Sequence, residues 1–141
     1  MGYEKYTVWI VDDEEVYRKF LKRLIEKEIG ARVEISRNPK EAFEYLKKSI
    51  PDLILLDMQM PMMDGLSALK LIRSAPATSN IPVIPCTAMG NKDLVIKLKE
   101  FNISDYILKS GDAAIYKNKI LKVLASIEEF NVNKNRIRID D

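Results

Sequence analysis

"PDLILLDMQMPMMDG", residues 51–65, decides how the chain is read. Leu53, Ile54, Leu55 and Leu56 form an unbroken apolar run, with Pro51 before it and turn-forming residues after it. A run of this length marks a strand covered on both faces, as in a parallel sheet sandwiched between helices. Asp57 follows at once, and a carboxylate inside that core would be costly. At the strand's exit it is aimed at the edge of the sheet instead. Asp64-Gly65 then leads into a helix that ends near Arg73.

Working outward, the same alternation repeats. Tyr6 to Val11 is apolar and β-branched, and it runs into Asp12-Asp13-Glu14-Glu15, acids that suit the positive end of a helix. Tyr17, Phe20, Leu21, Leu24, Ile25 and Ile29 trace one helical face, which Gly30 closes. Arg32 to Ser36 is a short strand. Asn38-Pro39 is an N-cap followed by proline at the first helical position, opening a helix to about Ser49. Residues 74–80, "SAPATSN", form a loop. Beyond it lie a strand over Ile81–Thr87, a helix over 91–101, a strand over 105–108 and a helix over 112–129. Five strand–helix pairs demand a doubly wound α/β fold, a parallel sheet with helices on both faces. Pro85 lacks an N–H within the fourth strand and predicts a bulge or altered pairing there. Residues 1–129 read as one domain and residues 130–141 as a flexible tail.

Composition narrows the function. At 141 residues, 47% hydrophobic and 31% charged, the chain can bury a sizeable core without metal or disulfide. A net charge of +2 is too small to imply nucleic acid, and the lysines alternate with acids as on solvated helices. No apolar run is long enough for a bilayer, and no signal-peptide or myristoylation pattern opens the chain. Its one cysteine, Cys86, reads as an inert buried thiol and points to a reducing cytoplasm. The absence of histidine excludes His-Cys zinc sites, Ser-His-Asp triads and any phosphohistidine within the chain.

In a doubly wound sheet every strand ends at the same edge, where ligands bind. That rule gathers Asp12, Asp13, Asp57, Thr87 and Lys109. Crowded carboxylates repel unless a proton or cation compensates. Oxygen-only ligands suit a hard ion, Mg²⁺ above all. A hydroxyl and an ammonium beside them are what a phosphoryl group's oxygens require. A metal-flanked carboxylate at that edge can attack phosphorus.

The residues so gathered resemble those of response-regulator receiver domains, over about Thr7 to Ile127. "VDDE" at 11–14, "PDLILLDMQMPMMDG" at 51–65, "TA" at 87–88 and "DYILK" at 105–109 stand in that family's order and spacing. The resemblance implies a flavodoxin-like five-stranded fold with strand order 2-1-3-4-5. It implies Asp57 as phosphoacceptor, Asp13 and Asp57 as direct Mg²⁺ ligands, Asp12 acting through water, and Gln59 offering its backbone carbonyl. Thr87 matches the hydroxyl that bonds the phosphoryl group, Tyr106 the aromatic whose rotamer follows it, and Lys109 the phosphate-pairing lysine. Gln59 and Met89 occupy positions where side chains can flank the attacking water and tune the phosphoryl lifetime.

The implied donor is a phosphohistidine on a separate kinase or phosphotransfer protein. The implied readout is the face of the fourth helix, fifth strand and fifth helix, whose Lys92, Lys97, Lys99 and Lys117 suit a transient protein partner. A monomer or weak phosphorylation-dependent dimer is expected, with no turnover of an external substrate. Ser110 departs from the family, which usually has a cis proline after the lysine. A cis bond before a non-proline residue costs roughly 2.5–4 kcal/mol, so the Lys109–Ser110 peptide is expected to be trans. An aspartyl-phosphate hydrolase would need a second acid where Gln59 stands. A phosphorylation-independent scaffold would ordinarily have lost part of the acidic triad, which is intact.

Overall fold

The computed structural model describes residues 2–61, 63–88, 92–109 and 111–140. In chain order it runs β1 (Thr7–Val11), α1 (Glu15–Arg23), β2 (Arg32–Ser36), α2 (Pro39–Lys48), β3 (Leu53–Asp57), β4 (Gln59–Met60), β5 (Met63–Asp64), α3 (Gly65–Ser74), β6 (Val83–Thr87), α4 (Lys92–Lys99), β7 (Ile107–Leu108) and α5 (Ala113–Asp140). Five strands form one parallel sheet in the order β2-β1-β3-β6-β7, and β4 pairs with β5 as a small antiparallel ribbon. With that ribbon set aside, the order is the expected 2-1-3-4-5. The fold is the doubly wound, flavodoxin-like one.

Alternation along β1 and β3 divides the core between the two faces. Val8, Ile10, Leu53 and Leu55 pack with Leu21, Ile25, Tyr116, Ile120 and Leu124 from α1, its continuation and α5. Trp9, Val11, Ile54 and Leu56 pack with Leu69, Ile72 and Leu98 from α3 and α4. Each fully buried Leu or Ile contributes about 1.5–3 kcal/mol, so this pattern on both faces holds the sheet between its helices. The Trp9 ring N–H is satisfied by Ser36 Oγ at 2.8 Å. Among the described residues no helix is long and apolar enough to cross a membrane.

The caps behave as their residues dictate. Asn38 accepts from the Glu41 N–H at 2.9 Å, and Asp64 accepts from the Ser67 N–H at 2.9 Å. Gly30 closes the first helix at φ +84°, and its N–H bonds to Ile25 O. The preceding stretch, Leu24–Ile29, widens into a π-helix, which the periodicity alone does not reveal.

Of the two outcomes expected at Pro85, a bulge or altered pairing, the second holds, and two other expectations need correction. Pro85 makes no bulge against β3, because Leu56 pairs with Pro85 in unbroken register. Ile54 N–H and Met58 N–H bond to the carbonyls of Pro82 and Cys86, whereas Ser104 N–H and Lys109 N–H bond to those of Val83 and Thr87. Pro85 shares the second parity, so its missing donor faces β7. Pairing on that side is cut to Cys86–Ile107 and Thr87–Leu108, and Tyr106 N–H turns to Asp105 Oδ1. The fifth strand is therefore shorter than the expected 105–108.

The tail also differs: α5 continues to Asp140 as one helix instead of ending near residue 129. No glycine or proline follows residue 113 to stop it. Its first turns beyond the sheet are tied to the N-terminal end of β1. Glu128 accepts from the Tyr6 hydroxyl and pairs with Lys5 at 3.2 Å, and the Asn131 amide lies 3.4 Å from Tyr6 Oη. Met89 and the Lys109–Ser110 peptide lie outside the described residues.

Candidate functional site

The C-terminal ends of β1, β3, β6 and β7 deliver Asp12, Asp57, Thr87 and Lys109 to one edge of the sheet. β3 is buried along its whole length and ends in Asp57, which is only 1% exposed. Asp12, at the end of β1, is 2% exposed, and Thr87 is 1% exposed. Asp12, Asp13, Glu14 and Asp57 each place a carboxylate oxygen within 4.8 Å of the others. Asp12 and Asp57 are buried, while Asp13 and Glu14 face solvent. The group is open on one side and walled by protein on the other.

Lys109 is the cation bound to the carboxylates of this cluster, while the Arg18 guanidinium donates to the Asp12 backbone carbonyl at 3.2 Å. Lys109 Nζ lies 2.9 Å from Glu14 Oε1, 3.0 Å from Asp12 Oδ2 and 3.3 Å from Asp57 Oδ1. Burial alone would lower the pKa of its ammonium. Hydrogen bonds to Glu14 and Asp12, with the charges of Asp12 and Asp57, outweigh burial and raise it. One ammonium does not neutralise the group. Burial above all, and then the charge of Asp12, pushes Asp57 up to about 6, against the lowering pull of the Gln59 N–H and Lys109.

Asp57 Oδ1 accepts from the Gln59 N–H at 3.0 Å, but Oδ2 is buried and, among the described residues, has no hydrogen-bond partner. An orphaned buried carboxylate oxygen beside further carboxylates is the arrangement a cation completes. With oxygen donors alone, the residues fit a hard divalent ion such as Mg²⁺ and not a soft metal.

Each expected residue can now be placed. Asp12, Asp13, Asp57 and Lys109 converge as the sequence predicts. Thr87 stands at the end of β6, where its carbonyl accepts the Lys109 N–H at 2.8 Å. Tyr106 lies half-buried before β7, with Lys119 Nζ 5.0 Å from its ring centre and 2.6 Å from its carbonyl oxygen. Gln59 is exposed in β4, opposite Asp64.

Three neighbours escaped the sequence reading. Glu14 reads there as a helix-start acid, yet it is the nearest carboxylate to Lys109. Tyr17 reads as a core residue of α1, yet its ring centre lies 4.5 Å from Lys109 Nζ. Its hydroxyl donates to Tyr116 Oη, and the Tyr116 hydroxyl donates to Leu108 O at 3.1 Å. Burial raises the pKa of both phenols, so both remain donors. Only the acidity of Glu14 is visible in sequence; no pattern links Tyr17 to a lysine 92 positions away.

Comparison with known proteins matches this geometry to a family. Residues 8–121 match the response regulator receiver domain. The chain is 35% identical over 108 residues to the chemotaxis protein CheY of Bacillus subtilis, covering 77% of this chain and 88% of that protein. It is also 35% identical over 130 residues to a protein-glutamate methylesterase/protein-glutamine glutaminase of Pyrococcus horikoshii. That match covers 89% of this chain and 34% of the other, so the chain spans about a third of that relative's length. The signal receiver domain of a signal transduction histidine kinase from Syntrophus aciditrophicus aligns with a TM-score of 0.77 at 30% identity, over 86% of this chain and 92% of that one. An acidic edge at the end of a buried strand, a lysine bridging it and a match over most of the sheet have one common source: this chain belongs to the response regulator receiver domain family of two-component signalling.

Proposed function

We propose that the domain is a phosphoacceptor switch that takes a phosphoryl group onto Asp57 from a phosphohistidine on a partner kinase or phosphotransfer protein. The observation that carries this reading is Asp57 itself. It is a buried carboxylate at a strand end, flanked by Asp12, Asp13 and Lys109, and one of its oxygens has no hydrogen-bond partner among the described residues. A carboxylate oxygen of Asp57 forms the new P–O bond while the donor's P–N bond breaks. The imidazole leaves with that electron pair and takes up its proton from solvent. Lys109 offsets negative charge on the transferring oxygens, and the Thr87 hydroxyl offers them a donor. Asp13, Asp57 and the Gln59 carbonyl would hold Mg²⁺, with Asp12 acting through water, and the ion would supply charge neutralisation at phosphorus.

The acyl phosphate is the stored signal and no external substrate is turned over. Gln59 would orient the hydrolytic water and Met89 would shield it. The bound state is read at the face of α4, β7 and α5 through Thr87 and Tyr106, by a transient protein partner in the cytoplasm. Residues 1–129 would carry this switch by themselves.

Intact mass after incubation with acetyl phosphate and Mg²⁺ tests the reading. Wild type should gain one labile phosphoryl group, and Asp57→Asn should gain none while remaining folded. A full adduct on the asparagine variant would discard Asp57 as acceptor.

A further inference from the structure

We infer that Tyr17 is a positioning residue for phosphoryl transfer, holding Lys109 through its ring while Tyr116 holds the adjoining backbone; this rests on the phosphoacceptor reading above.

Lys109 has a long, flexible stem, and its ammonium must stay at the site for its charge to act on transferring oxygens. Its backbone is fixed on two sides. Lys109 N–H bonds to Thr87 O at 2.8 Å, and the preceding carbonyl, Leu108 O, accepts from Gly111 N–H at 3.0 Å and from the Tyr116 hydroxyl at 3.1 Å. Tyr116 is fully buried on α5, and Phe20 meets its ring edge-on at 5.4 Å. Tyr116 in turn accepts from Tyr17, so α1, α5 and the end of β7 are joined by one hydroxyl chain.

The head of Lys109 is held in two ways. Three carboxylates bind it by charge, and the face of Tyr17 lies 4.5 Å from Nζ. An arriving phosphoryl group brings oxygens that compete with those carboxylates for the same N–H donors. It does not compete for the ring, whose attraction is to the cation as a whole. The Tyr17 contact therefore persists while Lys109 exchanges carboxylate oxygens for phosphoryl oxygens. The ring is what keeps the ammonium from swinging out to solvent during that exchange. Because the ring acts through Lys109 and not on phosphorus, its role is positioning.

The test compares Tyr17→Phe with Tyr17→Leu in the full chain. Tyr17 is only half-buried, so both variants should fold. Adduct formation is followed by intact mass with acetyl phosphate and Mg²⁺. There the Asp57 oxygen forms a P–O bond as the donor's P–O bond breaks and acetate leaves with the electron pair. In parallel, the Lys109 ε-methylene signals are recorded without phosphodonor, since the ring current of Tyr17 shifts them. Tyr17→Phe keeps the ring and should react within about twofold of wild type with the methylene shift retained. Tyr17→Leu should lose that shift and react roughly threefold to tenfold more slowly. A merely structural role would not separate Phe from Leu in both readouts. Equal adduct rates in wild type and Tyr17→Leu would overturn the inference, as would methylene signals that do not move. A persistent adduct on Asp57→Asn would instead sink the acceptor assignment and leave the Lys109 signals to decide the role of Tyr17.

Discussion

Asp57 Oδ1 lies 3.3 Å from Lys109 Nζ, while the other oxygen of the same carboxylate is buried with no hydrogen-bond partner among the described residues. The pair is thus half satisfied, and the resting fold bears the cost. Asp57 is pushed up from 3.8 to about 6, by burial first and by the charge of Asp12 after it. A raised carboxyl pKa means the folded state prefers the proton. Its contribution is fully present below 3.8 and is lost as pH rises through about 6. At pH 7 without divalent ions, Asp57→Asn should raise stability by about 1–3 kcal/mol. Below pH 4 the advantage should nearly vanish. Thermal melts at both pH values with a chelator check this, and a variant less stable than wild type at pH 7 would contradict it.

The same repulsion predicts a response to Mg²⁺. A cation bound among Asp13, Asp57 and their neighbours stabilises the fold by ligand linkage, so the melting temperature should rise with Mg²⁺ concentration. Asp13→Ala should shrink or erase that rise. Equal Mg²⁺ responses in the two proteins would move the ion elsewhere.

Cys86 lies in β6 beside this site but is closed off from it. Burial, then the charge of Asp12, pushes its thiol up to about 12, so no thiolate forms at neutral pH. A thiol reagent at pH 8 should leave the folded protein unmodified and label one cysteine per chain in denaturant. Because the folded pKa lies above the ordinary 9.0, this thiol's contribution to stability is intact below pH 9 and falls away as pH climbs towards 12. Labelling of the native protein as fast as a free thiol would show that the β6 wall opens.

Signal output should be visible without phosphate chemistry. Beryllofluoride with Mg²⁺ should change amide signals along 87–117, well beyond the acidic pocket, and Thr87→Ala should suppress the distant changes while binding remains detectable. Such a response is a shift between two states, and it requires tighter binding to one of them. Changes confined to Asp12, Asp13 and Asp57 would mean that α4, β7 and α5 do not read the site.

The sheet and the acidic edge were legible because single residues determine them. Leu53 to Leu56, bounded by Pro51 and a turn, reads as a doubly covered strand, and Asp57 then stands at its end, at the edge shared with Asp12. Pro85 was legible as a lost donor but not as to which neighbour lost it, since that depends on strand parity against β3 and β7. The length of α5 is not legible because the balanced charges and low apolar content of residues 130–141 read as a tail, while Asn131, Asn133 and Asn135 are weak helix formers and not terminators. The contacts of Glu128 and Asn131 with Tyr6 and Lys5 are long-range and leave no local trace. Tyr17 and Glu14 share this property: their importance lies in what β7 brings to them.

Gly65 gives the most local of the predictions. It opens α3 at the end of the β4–β5 ribbon, and its N–H bonds to Met58 O at 3.2 Å. A Cβ added there would come within 2.5 Å of Met58 Cα, as well as of the sulfur and terminal methyl carbon of that side chain. The side chain can move aside, but Cα cannot without displacing the peptide that follows Asp57. Overpacking against backbone costs about 1–3 kcal/mol, so Gly65→Ala should melt markedly lower than wild type. Its second effect is at the site. Met58 N–H is held by Cys86 O at 3.0 Å and Asp57 Oδ1 by Gln59 N–H at 3.0 Å, so moving residue 58 disturbs both restraints around Asp57. Adduct formation with acetyl phosphate should slow in Gly65→Ala even at temperatures where it is fully folded. Asp64→Ala removes the nearby helix cap without adding an atom beside Met58, so it should lower the melting point but leave the adduct rate close to wild type. Equal slowing in the two variants would show that general loosening of α3, and not the contact at Met58, governs the adduct rate.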